Sequence, residues 1–272
     1  EAPTNTSSVG CSTAPHDIAV SRPDADKYAG RVSPRMHDVM IVGGGVAGLS
    51  AATFTARADF ETLVLDSDDS ILRRNAHLEN YPGFPAGVNA RLLLELLAEG
   101  VDRADAERRV GEVVRLGRDD DAFTAETAAG DRYRADRVIA ATKNAVDYLP
   151  GGVEIVDRGK PFVAVDERGR TTVSGLYAAG RLAGKPHQAI VSAGHGAEVA
   201  VTLLEDADTP FYHDWVTPDG YFTDRGRDLP PGCEELDDAE RRRREDAARE
   251  LMRERFAAAH PSEQPTHPSL EE

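Results

Sequence analysis

A chain of 272 residues, 40% of them apolar, is long enough for one large domain or two modest ones with a buried core. Its 48 acidic residues against 32 Lys and Arg give a net charge of −16. That balance argues against a nucleic-acid partner, because a phosphate backbone demands a basic face. No run approaches the ~18 apolar residues of a membrane span, and the start lacks the basic-then-apolar order of a signal peptide. No membrane association is therefore expected, and the expected compartment is the cytoplasm.

Only four cations are lysines, Lys27, Lys143, Lys160 and Lys185. Abundant surface acid with scarce Lys and plentiful Ala gives a halophilic composition, in which salt screens the self-repulsion. Two cysteines, Cys11 and Cys233, lie 222 positions apart, in no metal-binding or CxxC spacing. Neither a disulfide framework nor a metal site is expected.

In chain order, residues 1–35 are rich in Ser, Thr, Pro, Asp and Gly and predict a disordered N-terminal arm. Residues 36–206 form a patterned core. The run Val39 to Val42 predicts a buried strand, followed by a Gly cluster, an Ala-rich helix from Ala47 to Ala58, and a strand from Thr62 to Leu65 ending in Asp66. Further on, a short helix is predicted over Arg91 to Ala98 and strands over Arg109 to Leu116, Ala122 to Thr127, Arg132 to Ala140, Phe162 to Val165 and Leu176 to Ala179. A helix over Gln188 to Leu204 completes the core. Residues 207–272 hold an aromatic segment, Phe211 to Phe222, then a charged amphipathic helix predicted from Glu234 to Ala259, and a tail. The fold class is α/β: a single Rossmann-like domain of three layers with a mainly parallel sheet, a disordered arm and a helical C-terminal extension.

Gly43, Gly45 and Gly48 stand in GxGxxG order between strand and helix, serving a tight turn, close approach of backbone to a pyrophosphate, and close helix packing. The helix N-terminus offers free N–H groups and partial positive charge to the phosphates. Asp66 is placed to accept hydrogen bonds from a ribose diol and would repel a 2′-phosphate, so the expected ligand is an unphosphorylated dinucleotide, FAD or NAD. This unit alone does not separate the two.

Downstream, Glu79-Asn80-Tyr81-Pro82-Gly83-Phe84-Pro85, Asp136-Arg137-Val138-Ile139-Ala140-Ala141-Thr142, Ser174-Gly175-Leu176-Tyr177-Ala178-Ala179-Gly180 and His187-Gln188-Ala189 occur in the order found in the low-molecular-weight thioredoxin reductase family. The sequence from Val39 to Glu205 resembles the FAD domain of that family. The resemblance implies FAD as cofactor, with Gly43, Gly45 and Gly48 on the pyrophosphate, Asp66 on the adenosine ribose, Asn80 near the flavin, Gly180 in the second FAD motif, and Gln188 with Ala189 near the flavin's pyrimidine edge. A helix N-terminus aimed there would stabilise the negative charge that appears on reduction.

The departures from the family pattern carry as much weight. The family inserts an NADPH-binding domain, bearing the redox CxxC, between its ATG motif and its second FAD motif. Here 18 residues separate Thr142 from Pro161, fewer than the ~30 a βαβ unit needs. Electron relay through a dithiol is therefore not implied. Lys143 stands where the family has the glycine of ATG, and Arg181 where it has an aspartate. One or both are expected to pair with the diphosphate through charge-assisted hydrogen bonds. The competing expectation is that FAD binding has decayed or shifted to another ligand.

For chemistry, His187 is the one catalytic candidate, through its implied place beside the flavin. His195, between two glycines, reads as a packing residue. The aromatic segment is either a lid over a flavin face uncovered by the missing domain or a packed C-terminal extension. Cys233 has a weak claim to reach the flavin. The run Arg241 to Arg244 reads as a solvated helix face with i,i+4 partners. The expected function is an FAD-dependent oxidoreductase, thioredoxin reductase-like, with NAD(P)H docking transiently or a separate carrier as electron donor. The alternatives are a non-enzymatic flavin- or nucleotide-binding module, such as a subunit of a redox complex, and a degenerate scaffold binding a partner through its acidic surface. A redox carrier, a partner subunit or a homodimer are the expected associations.

Overall fold

The computed structural model describes residues 32–119, 121–208 and 214–267. At its centre, β1 (Val32–Val42) pairs in parallel with β2 (Thr62–Asp66) on one side and β6 (Arg132–Ala140) on the other. The strand β3 (Glu107–Val110) extends the sheet beyond β2, again in parallel. The buried run Val39–Val42 and the wholly apolar Leu63–Leu65 are what a parallel strand covered on both faces requires.

On the side away from β1, the strand β6 is shared between two partners. Its first half pairs antiparallel with β5 (Phe123–Thr127), which pairs with β4 (Val113–Arg118) to form a meander. Its second half pairs in parallel with β9 (Leu176–Ala178), Val138 opposite Leu176 and Ala140 opposite Ala178. The C-terminal ends of β1, β6 and β9 therefore meet at one edge of the sheet, where open α/β folds bind ligands.

Alternate residues along these strands face two cores. Val39, Ile41, Val64 and Ile139 pack under α1 (Val46–Arg57), α2 (Ala90–Arg103) and α3 (Ala189–Asp206), against Leu49, Ala51, Leu94, Val199 and Leu203. Met40, Val42, Leu63, Leu65 and Val138 face Leu116, Phe123, Tyr148, Val163 and Leu182 from the meander and later loops. Helices, sheet and this second covering make the three layers. Gly196 of α3 lies so close to α1 that a side chain there would collide with the Ala47 backbone. No helix among the described residues is long and apolar enough to cross a membrane.

Several boundaries differ from the sequence expectations. β1 begins at Val32, inside the expected arm, with an irregular register between Val32 and Met36; residues 1–31 of the arm lie outside the described residues. The single strand expected over Arg109 to Leu116 is two strands. Gly111 N–H donates to the Asp66 carbonyl at 2.8 Å, ending β3 on the parallel edge before the chain turns into the meander. α2 runs on to Arg103, because its buried stripe continues to Val101. Pro161–Val163 (β8) has an antiparallel partner, Ile155–Asp157 (β7), that hydropathy did not mark because it is exposed.

The helix expected from Glu234 starts at Asp238. Residues Cys233–Leu236 are instead a strand, β11, paired in parallel with β10 (Trp215–Pro218). Asp237 then caps α4 (Asp238–Arg255), accepting a hydrogen bond from Glu240 N–H at 2.7 Å. No residue of α4 is buried. Its end meets the core through Arg255 to Glu99 at 2.8 Å and Phe256 stacked on Phe84 at 6.1 Å. The Arg241 to Arg244 run is a solvated face as expected, paired with Asp238, Glu240 and Glu245 at i,i+3 and i,i+4, and with Glu234.

Candidate dinucleotide site

The turn after β1 is built from glycines for reasons visible atom by atom. Gly43 has φ +108°, and a Cβ there would stand 2.7 Å from the Ala141 carbonyl oxygen. A Cβ on Gly48 would collide with the Gly43 carbonyl, so α1 could not approach the strand. Gly45, the N-cap of α1, has only the Ser70 hydroxyl near such a position, at 3.6 Å, so the space above it is open. No side chain caps α1 and no acid lies in its first turn. Its leading N–H groups are left for a ligand.

Gly44, which the motif spacing did not single out, fixes Asp66. Its N–H donates to Asp66 Oδ1 at 3.0 Å, and a side chain there would strike the carboxylate. The signal was the run of three consecutive glycines, one more than the motif requires. Asp66 keeps acceptor capacity beyond that bond for a ribose diol.

Across the edge, Ala141 N–H donates to the Val42 carbonyl and Ala179 N–H to the Ala140 carbonyl, both at 2.8 Å, locking the three strand ends together. Lys143 takes the left-handed conformation, φ +63°, where most side chains are strained. The turn is held by Thr142 Oγ1, which donates to the Ala145 carbonyl at 2.9 Å and shares a hydrogen bond of 3.0 Å with the buried Tyr148 hydroxyl. Burial pushes the Tyr148 phenol up, so it stays neutral. Arg181 Nε donates to Asn144 Oδ1 at 2.9 Å, and Asn144 Nδ2 to the Pro161 carbonyl at 2.8 Å. Lys143 and Arg181 are thus set on the same edge.

Burial lowers the Lys143 ammonium, and Arg74, Arg181 and Lys160 lower it further against an opposing pull from Asp69. Burial likewise lowers His187, followed by Arg181, Lys143 and Lys160. Cations converge here with no carboxylate at ion-pair distance from Lys143 or Arg181 among the described residues.

Gly180, φ +63°, donates its N–H to His195 Nδ1 at 3.0 Å. His195 is 4% exposed, and its Nε2 carries the remaining proton with no partner among the described residues. Burial, then Lys185, depresses its pKa to about 4 against a weaker pull from Glu198. It is a neutral support for Gly180, in keeping with a packing role. His187 lies before α3 rather than on it, exposed, two residues ahead of Ala189.

Gln188 is the N-cap of α3, and this helix too has no side-chain cap and no acid in its first turn. Asn80 Nδ2 donates to Gln188 Oε1 at 2.7 Å, joining two of the anticipated site residues across 108 positions. Ala189 packs half-buried between the helical core and Leu78. The contrast with α2 and α4 is direct: Asn89 and Asp237 cap those helices with their side chains.

The aromatic segment lies elsewhere. Trp215, Tyr221 and Phe222 pack edge to face on one another, with centroids 4.9 to 5.9 Å apart, and Arg225 lies over Tyr221. Asp214 pairs with Arg57 Nε and Nη2 at the C-terminal end of α1. A 12-residue helix is about 18 Å long, so this cluster sits a helix length from the glycine turn. The described part of the segment is a packed extension, not a lid, and Cys233, paired in register with Trp215, shares that remote end. Phe211 and Tyr212 lie outside the described residues.

Residues 66–196 match the pyridine nucleotide-disulphide oxidoreductase family model, and residues 38–73 the FAD binding domain model. The chain is 35% identical over 128 residues to the bifunctional thioredoxin reductase/thioredoxin of Mycobacterium leprae, covering 46% of this chain and 28% of that protein. It is 32% identical over 135 residues to the thioredoxin reductase of Aquifex aeolicus, covering 48% and 42%. The chain thus spans less than half the length of these curated relatives. The thioredoxin reductase structure from Gloeobacter violaceus superposes with TM-score 0.61 at 18% identity, over 65% of this chain and 99% of that one. One from Streptococcus pyogenes gives 0.60 at 14%, with the same coverage. The core of the chain is thus similar in sequence and fold to a thioredoxin reductase-like FAD domain, with no second dinucleotide domain between residues 142 and 161.

Proposed function

We propose that this chain binds FAD along the shared edge of β1, β6 and β9 and works as an FAD-dependent oxidoreductase. The observation that carries the reading is the pair of uncapped helix N-termini, α1 and α3, among the four α-helices of the described residues, the other two being capped. Gly43, Gly45 and Gly48 leave room for the pyrophosphate, Asp66 takes the adenosine ribose, and Lys143 with Arg181 neutralises the diphosphate. The lowered Lys143 pKa marks a site that an anion would relieve. Asn80, Gln188 and Ala189 form the flavin end, where the α3 dipole favours negative charge.

Bound flavin would supply the redox chemistry. The protein's part is to bind, orient and place positive potential. His187, whose pKa is lowered by burial and then by its cationic neighbours, is biased toward the neutral form that can accept a proton. The electron donor is NAD(P)H docking transiently or a separate carrier. The 18-residue link between Thr142 and Pro161 favours, as a second reading, a flavin-binding module whose reductant is held by another protein.

Reconstitution with FAD followed by visible spectroscopy, before and after anaerobic NADH, NADPH or reduced carrier, tests the proposal. Absence of flavin bands would sink it, and bound flavin that no donor reduces would favour the module. Arg181→Asp is expected to weaken FAD by more than tenfold at low salt, from loss of one charge-assisted contact and gain of a repulsive one. Unchanged or tighter binding would refute the diphosphate role of Arg181.

A further inference from the structure

All three described lysines of this acidic chain, Lys143, Lys160 and Lys185, fall in one place. Asn144 ties the Lys143 turn to Arg181 at 2.9 Å and to the Pro161 carbonyl at 2.8 Å, next to Lys160. The β7–β8 hairpin closes through Arg158 N–H to the Lys160 carbonyl at 3.0 Å, and Arg158 Nη1 stands 3.5 Å from where a Cβ on Gly184 would lie, beside Lys185. Arg74 approaches from across the turn. Asp157, the acid at the hairpin tip, is engaged by the Gly159 N–H of its own turn at 2.8 Å.

A diphosphate carries about two negative charges and is answered by Lys143 and Arg181. Arg158, Lys160 and Lys185 are further cations, and none has a carboxylate at ion-pair distance among the described residues. Arg158 and Lys160 are exposed. The first turn of α3 adds exposed aliphatic side chains, Ile190 at 36% and Val191 at 38%. Aliphatic residues beside a charged rim make a protein-docking surface rather than a small-anion pocket. On a molecule of net charge −16, a cluster of unpaired cations is a place where the repulsion of an acidic protein is locally reversed.

We propose that the β7–β8 hairpin tip, Lys185 and the start of α3 form the docking surface for an acidic electron-carrier protein. This rests on the flavin reading above and names its donor. Each docked carrier gives up one electron and leaves oxidised, so two carriers and one proton from water reduce one flavin by two electrons.

The test uses the full chain reconstituted with FAD and an acidic plant-type [2Fe–2S] ferredoxin, with binding measured by titration calorimetry at about 50 and about 500 mM salt. We expect binding at low salt that weakens more than tenfold at high salt. We also expect at least tenfold weaker binding in Arg158→Glu, with FAD affinity within about twofold of the parent. No ferredoxin binding at low salt to the FAD-loaded protein would overturn the proposal, as would equal binding by Arg158→Glu. Binding of free pyrophosphate by the FAD-loaded protein without ferredoxin binding would also overturn it, in favour of a small-anion site. Failure to take up FAD at all would instead count against the flavin reading, so the two failures are distinguishable.

Discussion

Acidification should destabilise this protein through His195 in a way that can be isolated. Its imidazole is 4% exposed, accepts the Gly180 N–H at Nδ1, and has its pKa lowered from 6.5 to about 4, first by burial. A folded-state pKa below the unfolded value means the unfolded chain binds a proton first as pH falls. Above pH 6.5 the residue leaves stability unaffected. From pH 6.5 down to about 4 stability falls by about 1.4 kcal/mol per pH unit, and below 4 the loss levels off at about 3 kcal/mol. Protonation also places a hydrogen on Nδ1, so the Gly180 N–H loses its acceptor and the second edge of the site loosens. Denaturant unfolding of the parent and of His195→Gln, from pH 7.5 to 4 at fixed salt, measures the effect as a difference. The depressed carboxylates Asp166, Asp206 and Glu240 are common to both proteins and cancel. The gap between the two should change by about 3 kcal/mol in the parent's disfavour across that window. Parallel curves would refute the argument.

Other substitutions probe other contacts. Lys143→Gly removes a left-handed side chain, so unfolding free energy should rise by about 1 kcal/mol while FAD titration shows weaker binding. Gly44→Ala drives a Cβ into the Asp66 carboxylate and should cost about 2 kcal/mol in denaturant unfolding, together with most of the FAD affinity. Tyr148→Phe leaves Thr142 without its buried partner and should cost about 1 kcal/mol, read from the same assay. Trp215→Ala should leave FAD affinity unchanged in a fluorescence titration, since the aromatic cluster lies at the far end of α1; a large loss would restore the lid.

Much of this was legible from residue pattern because the signals are local. A continuous apolar run such as Val39 to Val42 has few ways to be buried, and the glycine spacing after it reflects steric needs within one turn. The strand Arg132–Ala140 was readable to the residue for the same reason. The pairing of Asn80 with Gln188 was open to sequence only by resemblance, since a hydrogen bond across 108 positions leaves no periodic trace. The misreadings fall where tertiary contacts override local pattern. Glu234 and Glu235 look helical in composition, yet pairing with Val216 and Thr217 makes them strand, and Asp237 moves the helix start four residues on. The exposed β7 has no hydropathy alternation to betray it. His195 looked like a residue between two helix glycines, and its bond to Gly180 became visible only when α3 was set against β9.

The lysine in the ATG position and the hairpin that follows make one physical argument together. A left-handed Lys costs of order 1 kcal/mol that a glycine would not, and burial among Arg74, Arg181 and Lys160 adds an electrostatic cost. Such residues persist when something offsets them, and an anionic ligand offsets both at once, because its charge relieves the repulsion and its contacts hold the turn. The 18 residues between Thr142 and Pro161 supply further cations at Arg158 and Lys160 in place of a nucleotide-binding domain. Potential that a larger protein would obtain by enclosing its donor is here set on the open edge of the sheet. Neutralising Lys143 alone should therefore change cofactor affinity, whereas neutralising Arg158 should change only which reductants reach it.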